Sequence, residues 1–199
     1  MTELKIDNED DFLKLACELG RPISSRINGS LIDNLIPLKK ENAHKQSLSA
    51  NFGTSDFPYH TDGAYFKIPP KFILLRYTNG ISKPTPTILC NLQNINSFDK
   101  QILKHSVWKV KSKDSSFYSS ILSEDEKIFR FDNCIMQPID MKNDNSTHLE
   151  KLISSLPKKI INWEINKTVI IDNWKYLHTR PEVKDNEIDF RNIQRIMIQ

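Results

Sequence analysis

The placement of chain breakers constrains the fold of this sequence most. From Ser47 onward the apolar runs Lys71 to Tyr77 and Thr87 to Leu92 are short, and Pro69-Pro70, Asn79-Gly80 and the Pro84 to Pro86 stretch cut between them. Proline lacks a ladder donor, and Gly, Asn and Pro favour turns, so runs of this length between such breakers read as strands. Further on, Ile161, Trp163 and Ile165 alternate, Thr168 to Ile171 is an apolar run, and Ile193 to Ile198 is again strand-like.

Helical periodicity is confined to two places. From Glu9 to Leu19, Phe12, Leu13, Leu15, Ala16 and Leu19 form an apolar stripe that Gly20 and Pro22 terminate. Thr147 with Glu150 has capping-box spacing, and Leu149, Leu152, Ile153 and Leu156 follow on one face before Pro157. Many short strands with two helices predict a mainly β fold with flanking helices, a sandwich or distorted barrel. At 199 residues, with no repeat or linker, residues 1–199 are expected to form a single domain.

Composition narrows the partners. The 28 basic and 25 acidic residues nearly cancel, and the lysines are dispersed, so no nucleic-acid footprint is expected. No apolar run approaches the ~20 residues of a membrane span, and the N-terminus MTELKIDNEDDF is acidic where a signal peptide would be basic and then apolar. Cys17, Cys90 and Cys134 lie far apart, an odd number that fits reduced thiols in a cytoplasm.

Chemistry concentrates in two segments. In FPYHTDGAYF, His60 and Asp62 are two apart; along an extended backbone alternate side chains share a face, so imidazole and carboxylate can converge on one ion. His148 and Glu150 have the same spacing, but the predicted helix would point them apart. A site of two histidines and one carboxylate suits non-haem Fe(II), because three ligands on one octahedral face leave the opposite face open. The second segment is VIIDNWKYLHTRPEV, followed by DFRNIQRIMI.

Together these segments resemble the taurine dioxygenase and clavaminate synthase-like superfamily of Fe(II)- and 2-oxoglutarate-dependent oxygenases, over about Ser47 to Gln199. The resemblance implies a double-stranded β-helix (jelly-roll) fold. It implies His178 as third metal ligand beside His60 and Asp62, with Fe(II), 2-oxoglutarate and O₂ as cofactor and cosubstrates. Arg191, thirteen residues after His178, matches the arginine that pairs with the distal carboxylate of 2-oxoglutarate, a task suited to a guanidinium fork. Thr87 falls where the family often has a threonine supporting the same carboxylate, or is an ordinary strand threonine.

Other residues carry paired readings. Arg195 shares a strand face with Arg191 and matches an arginine that contacts an anionic substrate group in some relatives, or makes a surface salt bridge. Arg130 could reach a substrate carboxylate, or point outward from an alternating strand beside Phe129 and Phe131. Asp172, Asn173 and Trp174 are expected to form a tight turn that aims His178, while Phe57, Tyr59, Tyr65 and Phe66 line or back the site. Halogenating relatives replace the carboxylate ligand by a small residue; retention of Asp62 implies hydroxylation of an unactivated C–H bond, with succinate and CO₂ released. The expected substrate is a small amino-acid-like or carboxylate metabolite, free or carrier-attached. Two other classes share parts of the pattern: a cupin-like metal enzyme that does not use 2-oxoglutarate, and a non-catalytic jelly-roll binding module.

Overall fold

The computed structural model describes residues 1–26, 29–45, 47–112, 115–139 and 146–199. Its strands are β1 (Thr2–Lys5), β2 (Pro22–Ile23), β3 (Asp33–Leu35), β4 (Phe72–Asn79), β5 (Thr87–Asn91), β6 (Val107–Lys111), β7 (Ser116–Ser120), β8 (Met136–Pro138), β9 (Lys158–Ile161), β10 (Lys167–Asp172), β11 (Tyr176–Thr179) and β12 (Asn192–Ile198). The α-helices are α1 (Glu9–Leu19), α2 (Leu48–Phe52), α3 (Ser97–His105) and α4 (Ser146–Ser155). The strands form three antiparallel sheets. The largest has the order β1-β10-β4-β12-β2, with β3 also on β12; the second is β11-β5-β9, and the third β7-β6-β8.

Alternation along β4 and β12 stacks these sheets into layers. Ile73, Leu75 and Tyr77 of β4, with Ile193 and Met197 of β12, pack against Leu89 and Ile161 of the second sheet and against Trp163. The intervening Leu74, Ile196 and Ile198 point the other way, onto Phe12 and Ala16 of α1. Full burial of Phe12 alone is worth about 1.5–3 kcal/mol. The far face of the second sheet, through Cys90 and Leu177, meets Leu103 of α3, Trp108 and Val110 of β6, and Leu149 and Ile153 of α4.

Several expectations shift. The alternation Ile161, Trp163, Ile165 is not a strand: β9 ends at Ile161, Trp163 is buried beyond it, and Ile165 sits half-exposed in the turn into β10. Helix α4 begins at Ser146, so Thr147 is its second residue and not its cap. Helix α3 has only Phe98, Ile102 and Leu103 as apolar residues, and Phe98 is exposed; what starts it is Asn96, whose side chain accepts from the Asp99 amide at 2.9 Å. Among the described residues no helix is long and apolar enough to cross a membrane.

Candidate metal centre

The metal-ligand candidates are assembled by backbone pairing. His178 lies on β11 opposite Leu89, and its other edge pairs with His60: each residue's amide donates to the other's carbonyl at 3.0 Å. Such a bridge places both side chains on one face, and the imidazole centroids are 4.2 Å apart. Asp62 joins them, with Oδ2 3.6 Å from His178 Nε2 and Oδ1 3.9 Å from His60 Nε2. Among the described residues these three form the one His/Cys/Asp/Glu group able to hold a metal, their ligand atoms all within 4.8 Å of one another.

Segment 60–67 is pinned at each step. Thr61 donates its amide to the Phe131 carbonyl at 2.7 Å, and its hydroxyl accepts from the Phe131 amide at 3.1 Å. Asn173, fully buried, grips Asp62 from both sides: Nδ2 donates to the Asp62 carbonyl at 2.9 Å and Oδ1 accepts from the Asp62 amide at 3.1 Å. Asn173 Nδ2 also donates to the Pro70 carbonyl at 2.8 Å. Gly63 turns the chain at φ +66°, where a Cβ would stand 2.7 Å from Pro70 Cδ.

The DNW turn thus divides its work. Asp172 Oδ1 accepts from the Trp174 amide at 3.2 Å and closes the turn, as expected, whereas Asn173 holds the segment at Asp62 and Trp174 Nε1 donates to the Pro69 carbonyl at 2.9 Å. Arg130 needs a different account from either sequence reading. It is buried, absent from the pocket wall, and its guanidinium donates to the carbonyls of Ala64, Phe66 and Lys67 at 2.6–3.0 Å. Those carbonyls follow the metal-ligand segment and have no ladder partner of their own, so Arg130 fastens a loop.

Electrostatics favour the ligand forms of the side chains. His60 Nδ1 lies 2.9 Å from the Pro58 carbonyl; a carbonyl only accepts, so Nδ1 carries a proton, and Nε2 is the nitrogen that faces Asp62. Burial pushes His178 down to about 3, with His60 adding to the effect, so this imidazole is neutral. Its Nδ1 is buried and has no hydrogen-bond partner among the described residues. Burial opposes ionisation of Asp62, yet the Arg195 guanidinium and the two histidines outweigh it and hold the carboxyl below its usual value. Imidazole nitrogens and a carboxylate are the donors that Fe(II) takes.

The three residues open into a cavity of about 1360 Å³ between the first two sheets. Thr87, Arg191, Arg195, Phe57, Tyr65 and Phe66 line it. Tyr59 instead packs behind, against the core under the second sheet. Arg195 makes no surface salt bridge: Nη1 donates to Asp62 Oδ1 at 2.6 Å and Nη2 to Asp33 Oδ2 at 2.8 Å, tying β12 to β3 and to the metal-ligand segment. Thr87 accepts from Trp163 Nε1 at 3.2 Å, which leaves its hydroxyl proton available. Arg191 is buried, its Nη2 donating to the Thr85 carbonyl at 3.2 Å, and burial lowers it to about 10, so it stays a cation at neutral pH.

Sequence reasoning missed four residues of this region. Asp33 and Glu187 pair with Arg195 and Arg191, Thr85 bridges Glu187 and Arg191, and Asp132 lines the cavity close to His60 with its carboxyl pushed up, chiefly by burial. Asp132 stands two residues after Arg130, so the FRFDN segment had drawn attention to the wrong charge. Asp33 and Glu187 had no spacing signal, because their partners lie across sheets and loops. His148 pairs with Asp99 at 2.9 Å and not with Glu150, in line with the helical reading of that pair.

Solved structures of non-haem iron oxygenases share this layering of antiparallel sheets. An asparagine oxygenase superposes with TM-score 0.74 at 18% identity over 94% of this chain, and the same enzyme in complex with Fe(II), 3-hydroxyasparagine and succinate with 0.72 at 17%. The non-haem iron oxygenase OrfP, in complex with Fe and alpha-ketoglutaric acid, superposes with TM-score 0.73 at 18% identity over 96% of this chain. At these identities the likeness is one of fold. The chain spans 62–64% of the length of those solved chains. No protein-family model and no curated protein sequence matches the chain.

Proposed function

We propose that residues 1–199 form one Fe(II)- and 2-oxoglutarate-dependent dioxygenase domain, built on a double-stranded β-helix whose two halves are the first and second sheets. The reaction is hydroxylation of an unactivated C–H bond in a small amino-acid-like or carboxylate metabolite, free or carrier-attached. Succinate and CO₂ are the coproducts. One observation carries this reading: His60, Asp62 and His178 converge at the wall of a cavity that Arg191 and Thr87 also line. Cupin-like metal chemistry without 2-oxoglutarate leaves that guanidinium and hydroxyl without a shared task. The solved relatives bound to hydroxylated asparagine and hydroxylated arginine make an amino-acid-like substrate the natural class.

In this reading His60, Asp62 and His178 hold Fe(II), and Arg191 with Thr87 holds the distal carboxylate of 2-oxoglutarate. When bound, iron and 2-oxoglutarate would supply the electrons that activate O₂ as the oxidant. The protein's part is to bind and orient. Asp62 keeps Oδ1 on Arg195 and turns Oδ2 toward His178, so one oxygen is anchored while the other can bind metal. Phe57, Tyr65 and Phe66 exclude water from part of the wall. The buried fork of Arg191 grips a carboxylate through parallel charge-assisted bonds, and the free proton of Thr87 adds a third donor.

Anaerobic titration of the protein with Fe(II) and 2-oxoglutarate tests the reading. A visible charge-transfer band is expected in the wild type and should vanish in His178→Ala. No band in the wild type, or an undiminished band in the variant, overturns the assignment.

A further inference from the structure

Arg191 already has a carboxylate partner within the protein. Glu187 is fully buried, and its Oε2 lies 3.5 Å from Arg191 Nε. Thr85 closes the triangle. Its amide donates to both carboxylate oxygens of Glu187 at 2.9 Å, its hydroxyl donates to Oε1 at 2.8 Å, and its carbonyl accepts from Arg191 Nη2 at 3.2 Å. The turn that carries these groups is itself fixed, the Arg191 amide donating to the Glu187 carbonyl at 2.9 Å.

A buried guanidinium without an anion would bind a ligand carboxylate tightly, because the ligand would relieve an uncompensated charge. With Glu187 in place the charge is balanced beforehand, and an incoming carboxylate meets a neutral pair with a like charge behind it. The Nε edge of Arg191 faces Glu187, while the residue also forms part of the cavity wall. Glu187 therefore orients the fork without covering it. It also weakens the fork's hold on any carboxylate.

We infer that Glu187 is a positioning residue that balances the charge of Arg191 and so sets a moderate affinity for dicarboxylates, 2-oxoglutarate and succinate alike. The inference rests on the assignment of Arg191 to the cosubstrate carboxylate. Its consequence is kinetic as well as thermodynamic: a product that keeps the distal carboxylate of its precursor must be able to leave, and a compensated guanidinium lets it go.

Glu187→Gln is the informative variant: one amide oxygen still accepts from Thr85, while the negative charge and the second acceptor oxygen are lost. With Fe(II)-loaded protein under anaerobic conditions, 2-oxoglutarate affinity is read from the charge-transfer band and succinate affinity from calorimetry. Both ligands are expected to bind at least tenfold more tightly to the variant, while its ligand-free melting temperature falls. Adding Arg191→Met to Glu187→Gln should recover most of that melting temperature. A residue with a merely structural role would weaken binding on substitution, the opposite sign. Unchanged or weaker binding to the variant, with the wild type binding normally, overturns this inference alone. Failure of both proteins to bind either dicarboxylate overturns the cosubstrate assignment and takes this inference with it.

Discussion

Replacement of Asn173 by alanine tests whether the candidate metal-ligand segment at Asp62 is held from behind. The side chain makes three hydrogen bonds, two to the backbone of Asp62 and one to the Pro70 carbonyl, and the residue has no exposed surface. Alanine keeps the backbone bond from residue 173 to the Lys71 carbonyl but strands one buried amide and two buried carbonyls. Each such loss costs about 1–3 kcal/mol when no water replaces the partner. With partial solvation of the space left behind, about 4 kcal/mol in all is a fair expectation. For a chain of this size 1 kcal/mol moves the melting temperature by about 2–4 °C, so a fall of about 8–16 °C should be seen by calorimetry on metal-stripped protein.

Fe(II) affinity should fall as well, by about 10–100-fold, the usual penalty for removing a group that orients a ligand. Asn173→Asp is the sharper companion: it keeps an acceptor for the Asp62 amide but sets a carboxylate against two carbonyls, and should destabilise more than alanine. A melting temperature within 2 °C of wild type would refute the hydrogen-bond argument. A large loss of stability with unchanged iron affinity would leave Asn173 as a structural clamp and refute its role in placing Asp62.

Arg195→Met leaves the carboxylates of Asp62 and Asp33 without their shared guanidinium. Breaking a buried pair of this kind costs about 3–5 kcal/mol, and Fe(II) should then raise the melting temperature more in the variant than in wild type, because the ion supplies the missing positive charge; equal rises would contradict the pairing. Stability of the metal-stripped protein should also fall with acid. The folded-state value of His178, about 3, lies below its ordinary 6.5, so the unfolded chain takes up a proton first as pH drops. Between pH 7 and pH 5 this removes about 2 kcal/mol, measurable by urea titration, and a His178→Gln protein should lack that part of the pH dependence.

Legibility in the sequence followed the range of the interaction. Strands β4, β5, β10 and β12 were readable because breakers bounded apolar runs, and α1 because its stripe and its stop were both local. The third sheet escaped notice: β6 alternates Val107, Lys109 and Lys111 outward with Trp108 and Val110 inward, but its partners β7 and β8 are too short to carry an apolar run. At the site, the pair His60 and Asp62 was legible through period-two spacing and His178 through resemblance to a motif, and the three residues do meet. Asp33, Thr85 and Glu187 were not legible. Their meaning lies in which cation they face, and that is decided by the register of β3 on β12 and by the path of the loop before Arg191.

Register also explains how the candidate metal ligands are held without a rigid framework of side chains. His60 and His178 are locked to each other through their own amides and carbonyls, so the imidazoles share a face whatever their neighbours do. Asp62, two residues on, inherits that face from the extended backbone and is kept there by Asn173. What side chains add is choice of atom. The Pro58 carbonyl accepts from His60 Nδ1 and leaves Nε2 as the candidate ligand atom, and Arg195 donates to Oδ1 of Asp62 and leaves Oδ2. Backbone pairing thus sets where the donors stand, and hydrogen bonding sets which lone pair each one offers. A substitution that spares the first and disturbs the second should retune metal binding without unfolding the chain.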